Sequence, residues 1–456
     1  MSDPTANTDA PPASRWGVLR HRHYRNIWTA SFASNVGGWM EMVAVQWVMA
    51  QATLAPEWVN AGRPGAPIMM GYLATAQMAP ILLLGLLGGM VADRVDRRAM
   101  LMSTQAMLML IAGALAAAAW LDALTPTILI VLGAANGIAL AFNMPAWGVL
   151  TPRLVPRAEL TRAIVLNGLQ FNMARVVGPA LAGVMLAWLG AGTLFAINAV
   201  SFLGVIWAVG RTPPAPAPPR ESLSARADLA QAMRFTLRTP GPLALVLAIF
   251  LFSMLATPLL RLMPIIVSEV YGRDADAFGM LLAVMGAGAV AGALTIRFVP
   301  AWYPRHHFIP LSVALGGLSL AATVASPTLA GATVAVFFCG VFWLWTFNTS
   351  FAALQLLVDD RMRGRVMSIT NVLSFGATPV GTLLAGLIGE WASGRKGDGP
   401  GTQIGMAALA IALALAGLAM LTWRTPEVDG LKPGDPGFDR RPGLLRGLTA
   451  AAHRQR

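Results

Sequence analysis

The sequence predicts an all-α membrane protein with twelve transmembrane helices arranged in two six-helix halves. Of its 456 residues, 56% are apolar and only 12% are charged, whereas a soluble domain carries about 25% charged residues. The polar residues lie in short clusters between long apolar runs, which is the pattern of a chain that crosses a bilayer repeatedly. This segregation, more than the net charge of +12, indicates the fold class.

A helix that crosses a bilayer needs about 20 apolar residues, and twelve stretches meet that length. The predicted spans are 26–50, 67–90, 99–121, 126–149, 163–188, 191–210, 242–268, 277–298, 308–325, 328–356, 366–391 and 403–423.

The basic residues predict the orientation, because cytoplasmic connections are rich in arginine and lysine. If the N-terminus is cytoplasmic, 27 of the 33 basic residues lie in the even-numbered connections and the tails. Both termini are therefore expected on the cytoplasmic side of the membrane. The six other basic residues, four in external connections and two within helices, are Arg63, Arg273, Arg395, Lys396, Arg175 and Arg261.

The chain divides into five segments. We expect a cytoplasmic tail (1–25), an N-terminal half (26–210), a linker (211–241), a C-terminal half (242–423) and a second cytoplasmic tail (424–456).

The linker begins with the proline-rich run 213–220 and then becomes amphipathic, because Leu229, Met233 and Leu237 share one helical face. We interpret this second part as a helix on the inner membrane surface. The alternative is a solvated linker helix.

The two halves share a weak internal repeat. Arg162 and Gly183 in the first half match Arg365 and Gly386 in the second, each pair at an offset of 203 residues. Paired halves are common in transporters, although chance matches occur easily in so biased a composition.

The connection between the second and third helices reads GGMVADRVDRRAML, residues 88–101. It resembles the signature loop of the major facilitator superfamily, with Asp96 in the place of the usual second glycine. The matching positions are Gly89, Asp93, Arg94, Arg97 and Arg98.

Three further stretches, 37–49, 143–183 and 360–369, resemble bacterial efflux proteins around the enterobactin exporter, the transmembrane secretion effectors. The resemblance implies the twelve-helix fold and export of a small molecule. It also implies that Gly178, Pro179 and Gly183 form the glycine-proline motif of exporters, in which helix five bends and packs closely.

The resemblance further implies that the signature loop is a gate. Asp93 would face the N-terminus of helix eleven, where Arg365 and its neighbours could pair with the loop. Alternatively, these arginines serve only to orient the chain.

Two charged residues lie in the middle of predicted helices and are candidates for energy coupling. Burial of the Glu41 carboxylate of helix one within the bilayer costs free energy unless the group is protonated, paired with a cation or in contact with water. Arg175 in helix five is our preferred partner, and a proton that breaks this pair would couple transport to the proton gradient. The alternative is a structural glutamate bonded to amides such as Asn35 or Gln46. The stretch 131–140 lacks the basic residue that many proton antiporters of the superfamily carry in helix four.

Polar and aromatic residues inside other spans are candidates for contact with an amphipathic substrate. The alternative is hydrogen bonding between helices. The candidates are Asn35, Trp39, Asn143, Asn172, Arg261 and Asn348.

A proton-driven exporter that works as a monomer is the function that these patterns favour. An importer or symporter of the same fold, a membrane enzyme and a non-transporting receptor are the alternatives. An enzyme is disfavoured, because one cysteine and five scattered histidines offer no catalytic or metal-binding cluster. We expect no cofactor and no nucleic-acid partner, and protons are the expected coupling ion.

Overall fold

The computed structural model describes residues 15–92, 94–148, 151–213, 225–299, 303–394 and 399–423, together with Thr425 and Val428. Within these ranges the regular secondary structure is helical, with three short 3-10 helices (Arg15–Arg20, Arg157–Glu159 and Ile296–Phe298). The α-helices are α1 (Arg22–Leu54), α2 (Pro56–Asn60), α3 (Ala66–Ala92), α4 (Arg97–Trp120), α5 (Pro126–Gly148), α6 (Thr151–Leu154), α7 (Leu160–Gly210), α8 (Ala225–Arg238), α9 (Pro240–Leu255), α10 (Pro258–Glu269), α11 (Ala275–Thr295), α12 (Arg305–Ala325), α13 (Leu329–Leu357), α14 (Asp360–Ser393) and α15 (Gly399–Met420).

Ten spans in the described part of the chain are long and apolar enough to cross a membrane. Helix α1 is not among them, although its 33 residues are sufficient in length, because polar residues such as Asn35, Glu41 and Gln46 lower its hydropathy. Helices α9 and α10 together form one span, Pro240–Glu269.

Helix α7 is a hairpin of two legs. A straight helix of its 51 residues would be about 75 Å long, far longer than a bilayer is thick. Its backbone leaves the helical conformation at Gly190, where φ is 73° and ψ is 167°. Glycine adopts this positive φ without the steric cost that a side chain brings. The predicted spans 163–188 and 191–210 are these two legs.

Both ends of α7 lie at the end of the bundle where α1 and α4 begin. Glu159, just before the first leg, forms ion pairs with Arg20 and His21. Gly210, at the end of the second leg, accepts a hydrogen bond from the Arg98 guanidinium. We call this end, which carries Arg20, Arg98 and Arg211, the arginine-rich face. The other end, which carries Leu54, Gly190 and Glu269, is the opposite face.

The linker contains a helix, α8, where the amphipathic pattern predicts one. Its buried side chains are Ala232 and Thr236, whereas Met233 and Leu237 are exposed. Two residues of the predicted apolar face are therefore exposed, and the position of α8 on the membrane surface stays a prediction. The side chain of Leu229 and the proline-rich run from residue 214 lie outside the described part of the chain.

Candidate translocation site

The site lies between the N-terminal set of helices (α1 to α7) and the C-terminal set (α9 to α15). On one side of the bundle the two sets meet at glycines in α7 and α11. An ideal Cβ on Gly183 would lie 2.6 Å from Gly279 Cα, and one on Gly286 would lie 3.0 Å from Val176 Cγ2. Glycine at position 183 therefore lets the two backbones touch.

On the other side, α3 meets α14 in the same manner. A Cβ on Gly71 would clash with the Leu383 side chain, and one on Gly386 would lie 3.1 Å from Pro67 Cβ. Gly183 and Gly386, which the internal repeat pairs, thus both lie where one set of helices contacts the other.

These contacts lie toward the opposite face and become sparse toward the arginine-rich face. Asn172, Val176 and Gly183 follow one stripe of α7, because they are separated by four and seven residues. Val176 and Gly183 touch α11, whereas Asn172, nearer the arginine-rich face, is exposed. Val290, which continues the Gly279–Gly286 stripe of α11, is 47% exposed. Along this stripe the two sets of helices separate.

The α3–α14 side shows the same change. Gly89 lies 18 residues after Gly71, which is about five helical turns, so both glycines are on one face of α3. By the same arithmetic Arg365 shares a face of α14 with Leu383. Gly71 touches Leu383, whereas a Cβ on Gly89 would meet nothing within 4 Å. Gly89 and Arg365 are thus at matching depth near the arginine-rich face.

Glu41 is bound to an amide, not to a cation. Its Oε2 accepts a hydrogen bond of 2.6 Å from Asn198 Nδ2 in the second leg of α7. Gly37 allows this approach, since a Cβ there would lie 2.5 Å from Asn198 Oδ1. The expected pair of Glu41 with Arg175 is not formed among the described residues. The bond goes to an asparagine, as the structural alternative expects, but to a more distant one than Asn35.

Two arginines in the middle of the bundle reach from one set of helices to the other. The guanidinium carbon of Arg175 lies 5.5 Å from the centroid of the Trp343 ring in α13. Nη1 of Arg261, in α10, donates a hydrogen bond of 2.8 Å to Gln77 Oε1 in α3. Both contacts join α3 or α7 to the C-terminal set through neutral groups.

Aromatic rings surround the Arg175 contact. Trp343 packs edge-on against Phe252 at 5.4 Å between centroids and lies 5.6 Å from Phe347. In the N-terminal set, Trp39 of α1 lies 6.1 Å from Phe171 of α7. This arrangement provides an apolar, aromatic wall beside a positive charge.

The signature loop shows local roles for most of its residues, while Asp93 lies outside the described part. Asp96 caps α4 by accepting a hydrogen bond of 2.9 Å from the Arg98 backbone N–H. Arg97 is buried and its Nε donates to the Ala92 carbonyl at 3.2 Å; Arg94 is exposed. Gly88 packs tightly against the α5 backbone at Ala141, whereas a Cβ on Gly89 would meet nothing within 4 Å.

The predicted substrate-contact asparagines differ in surroundings. Asn143 is buried, and its Nδ2 donates to Thr104 Oγ1 at 2.8 Å between α5 and α4. Asn143 thus makes the hydrogen bond between helices that the alternative expects, and its contact with substrate stays a prediction. Asn172 and Asn348 are exposed, and Asn35 is partly buried.

A polar zone at mid-depth, which we call the central layer, is formed by Glu41, Arg175, Arg261 and their partners Asn198, Trp343 and Gln77. Two of these residues, Gln77 and Asn198, could not be assigned a role from the sequence. Gln77 was missed because a single glutamine in an apolar span has no periodic signal. Asn198 was missed because its partner Glu41 is 157 residues away. Long-range pairing of this kind is not encoded in any local pattern.

Membrane-crossing helices that meet around a polar central layer, closed at one end of their interface and separated at the other, define a membrane transporter of the major facilitator type. Residues 13–439 match the family described as transmembrane secretion effector. The chain belongs to this family.

Known relatives are transporters. The staphyloferrin A transporter of Staphylococcus aureus is 24% identical over 377 residues, which cover 80% of this chain and 89% of that protein. The multidrug efflux pump Tap of Mycolicibacterium fortuitum is 24% identical over 413 residues, covering 88% and 95% of the two chains.

Solved structures share the fold. A bacterial homolog to the human lysosomal transporter Spinster, in an inward-facing and unoccupied conformation, has a TM-score of 0.69 at 15% identity and covers 91% of this chain and 99% of that one. A D-xylose-proton symporter has a TM-score of 0.66 at 14% identity, with coverages of 90% and 99%.

Proposed function

We propose that the protein exports a small, amphipathic organic molecule across a bacterial plasma membrane by alternating access, as a monomeric proton antiporter. The observation that carries the proposal is the asymmetric interface. The two sets of helices touch at Gly71 and Gly183 toward the opposite face, and Asn172 and Gly89 lack such contacts toward the arginine-rich face. A transporter that works by alternating access needs this state and a second one, in which the arginine-rich face is closed and the opposite face is open.

The proposal includes twelve spans in two halves. The ten apolar spans become twelve when the legs of α7 are counted separately and α1 is added. An arginine-rich face favours the cytoplasmic side, so we place both termini there. The present conformation is then open to the cytoplasm, with the signature loop and Arg365 as the gate that closes it.

Export is favoured over import because multidrug efflux pumps are among the relatives and because Gly178, Pro179 and Gly183 occur together in α7. Gly178 lies against α1, where a Cβ would be 2.5 Å from Trp39 Cβ. Gly183 lies against α11. The motif thus joins three helices around the central layer.

Membrane vesicles of both orientations test the direction of transport. Energised inside-out vesicles that contain the protein are expected to accumulate members of a panel of siderophores, dyes and hydrophobic drugs, and to lose them on addition of an uncoupler. Vesicles without the protein are the control. Accumulation confined to right-side-out vesicles would identify an importer, and binding without movement in either orientation would identify a receptor.

A further inference from the structure

The central layer carries an excess of positive charge. In α1 and the ten apolar spans of the described chain, the charged residues away from helix ends are Glu41, Arg175 and Arg261. A guanidinium stays protonated, and each such charge in lipid requires compensation. The Glu41 carboxyl is hydrogen-bonded to the Asn198 amide. Among these three residues, two positive charges are therefore balanced by at most one negative charge, and that group is not paired with either arginine.

Each arginine has a neutral partner. Arg175 rests on the π face of Trp343, and Arg261 is bound to the amide oxygen of Gln77. Cation–π contacts and amide hydrogen bonds are weaker than charge-assisted bonds to a carboxylate, phosphate or sulfonate, which can also be bidentate. An acidic group that reached either guanidinium would replace the present partner.

Both partners belong to the other set of helices. Arg175 is in the N-terminal set and Trp343 is in the C-terminal set, while Arg261 and Gln77 cross the interface in the reverse sense. Replacement of these partners by a ligand would remove two contacts that join the sets at mid-depth. Ligand binding would then be coupled to separation of the two sets of helices. The reason is that an arginine bound to the ligand's acidic group can no longer hold its partner in the other set at full strength.

We propose that the substrate is an amphipathic anion whose acidic group binds Arg175 or Arg261 and whose aromatic part packs beside Trp343. This proposal rests on the proposed transport function and names its substrate class. Phe347, which is partly buried, and the exposed edge of Trp343 provide apolar surface next to Arg175, and the fully buried Phe252 packs behind them.

Two probes with the same aromatic skeleton test the proposal. 8-Anilinonaphthalene-1-sulfonate is an anion and N-phenyl-1-naphthylamine is its neutral counterpart, and both report binding by fluorescence. With the full chain in nanodiscs, replacement of the arginine that holds the acidic group, Arg175→Gln or Arg261→Gln, is expected to weaken binding of the anion by about tenfold or more, the loss of one charge-assisted bond. Binding of the neutral probe should change less than about twofold, and Arg175→Lys should restore part of the affinity for the anion.

Arg63→Gln is the matched control. Arg63 also stacks on a tryptophan, at 4.6 Å from the Trp58 ring, but it lies in a connection outside the central layer. Equal losses for both probes in the central variants, or unchanged affinity for the anion, would overturn the proposal.

Failure of this proposal and failure of the proposed function give different results. Energised uptake of N-phenyl-1-naphthylamine by inside-out vesicles, combined with binding of the sulfonate that ignores both arginines, would leave export intact and overturn the anionic substrate. Arginine-dependent binding of the sulfonate without energised uptake of either probe would overturn export alone.

Discussion

Replacement of Gly183 by leucine is expected to stop transport in a protein that still folds. A Cβ at this position would lie 2.6 Å from Gly279 Cα and 3.3 Å from the Ala275 carbonyl oxygen. These are backbone atoms, which cannot rotate away as a side chain can. Closure of the opposite face should therefore cost about 1–3 kcal/mol, which reduces the population of the present state by about 5- to 150-fold.

Transport in inside-out vesicles measures this effect, with Gly113→Leu as the control. Gly113 lies in α4, which packs on α5 and α7 of its own set, and a Cβ added there would meet nothing within 4 Å. The control should transport at close to the wild-type rate. Equal activity of both variants would show that close contact at Gly183 is not needed for the cycle.

Glu41→Gln is expected to abolish uphill transport while preserving the fold. The glutamine oxygen can accept the same hydrogen bond from Asn198 Nδ2, so the link between α1 and α7 is retained. The carboxyl, which has no cation beside it among the described residues, can take up a proton without breaking an ion pair. The amide cannot, and coupling to the proton gradient should be lost.

The expected magnitude follows from the driving force. One proton supplies about 2.3 kcal/mol per 100 mV and about 1.4 kcal/mol per pH unit, enough for a substrate gradient of several hundredfold. In proteoliposomes the variant should bring the substrate only to equal concentrations, with no substrate-induced proton movement. Glu57→Gln, an exposed carboxylate in α2, should behave as wild type. Uphill transport by Glu41→Gln would move the search for the proton carrier to other residues.

The helices could be predicted from the sequence because lipid imposes their length. Apolar runs and arginine-rich connections locate the spans, and the hairpin at Gly190 falls in the gap between two predicted helices. Some helix ends differ from the predicted ends. Helix α1 begins at Arg22 and not at residue 26, because polar residues beyond the apolar run can continue the helix into water without burying a charge.

The surroundings of single polar residues could not be predicted in the same way. In a soluble helix the apolar stripe shows which face is buried, but lipid is as apolar as a protein core, so α5 carries almost no such stripe. The rotation of Asn143 toward Thr104 therefore has no sequence signal. The partners of Glu41, Arg175 and Arg261 are equally set by tertiary packing.

The central claim is that the two ends of the interface close in alternation, and pairs of introduced cysteines measure this directly. In a Cys339→Ala background, Gly71→Cys with Leu383→Cys reports closure of the opposite face. Gly168→Cys with Leu294→Cys reports closure of the arginine-rich face, because these two exposed residues continue the facing stripes of α7 and α11 toward that face. A disulfide requires Cα atoms within about 7 Å. We expect the first pair to form at rest, the second to form only in molecules that lack the first, and either bond to stop transport until it is reduced. Transport that continues with the first pair locked, or both bonds in one molecule, would contradict alternating access.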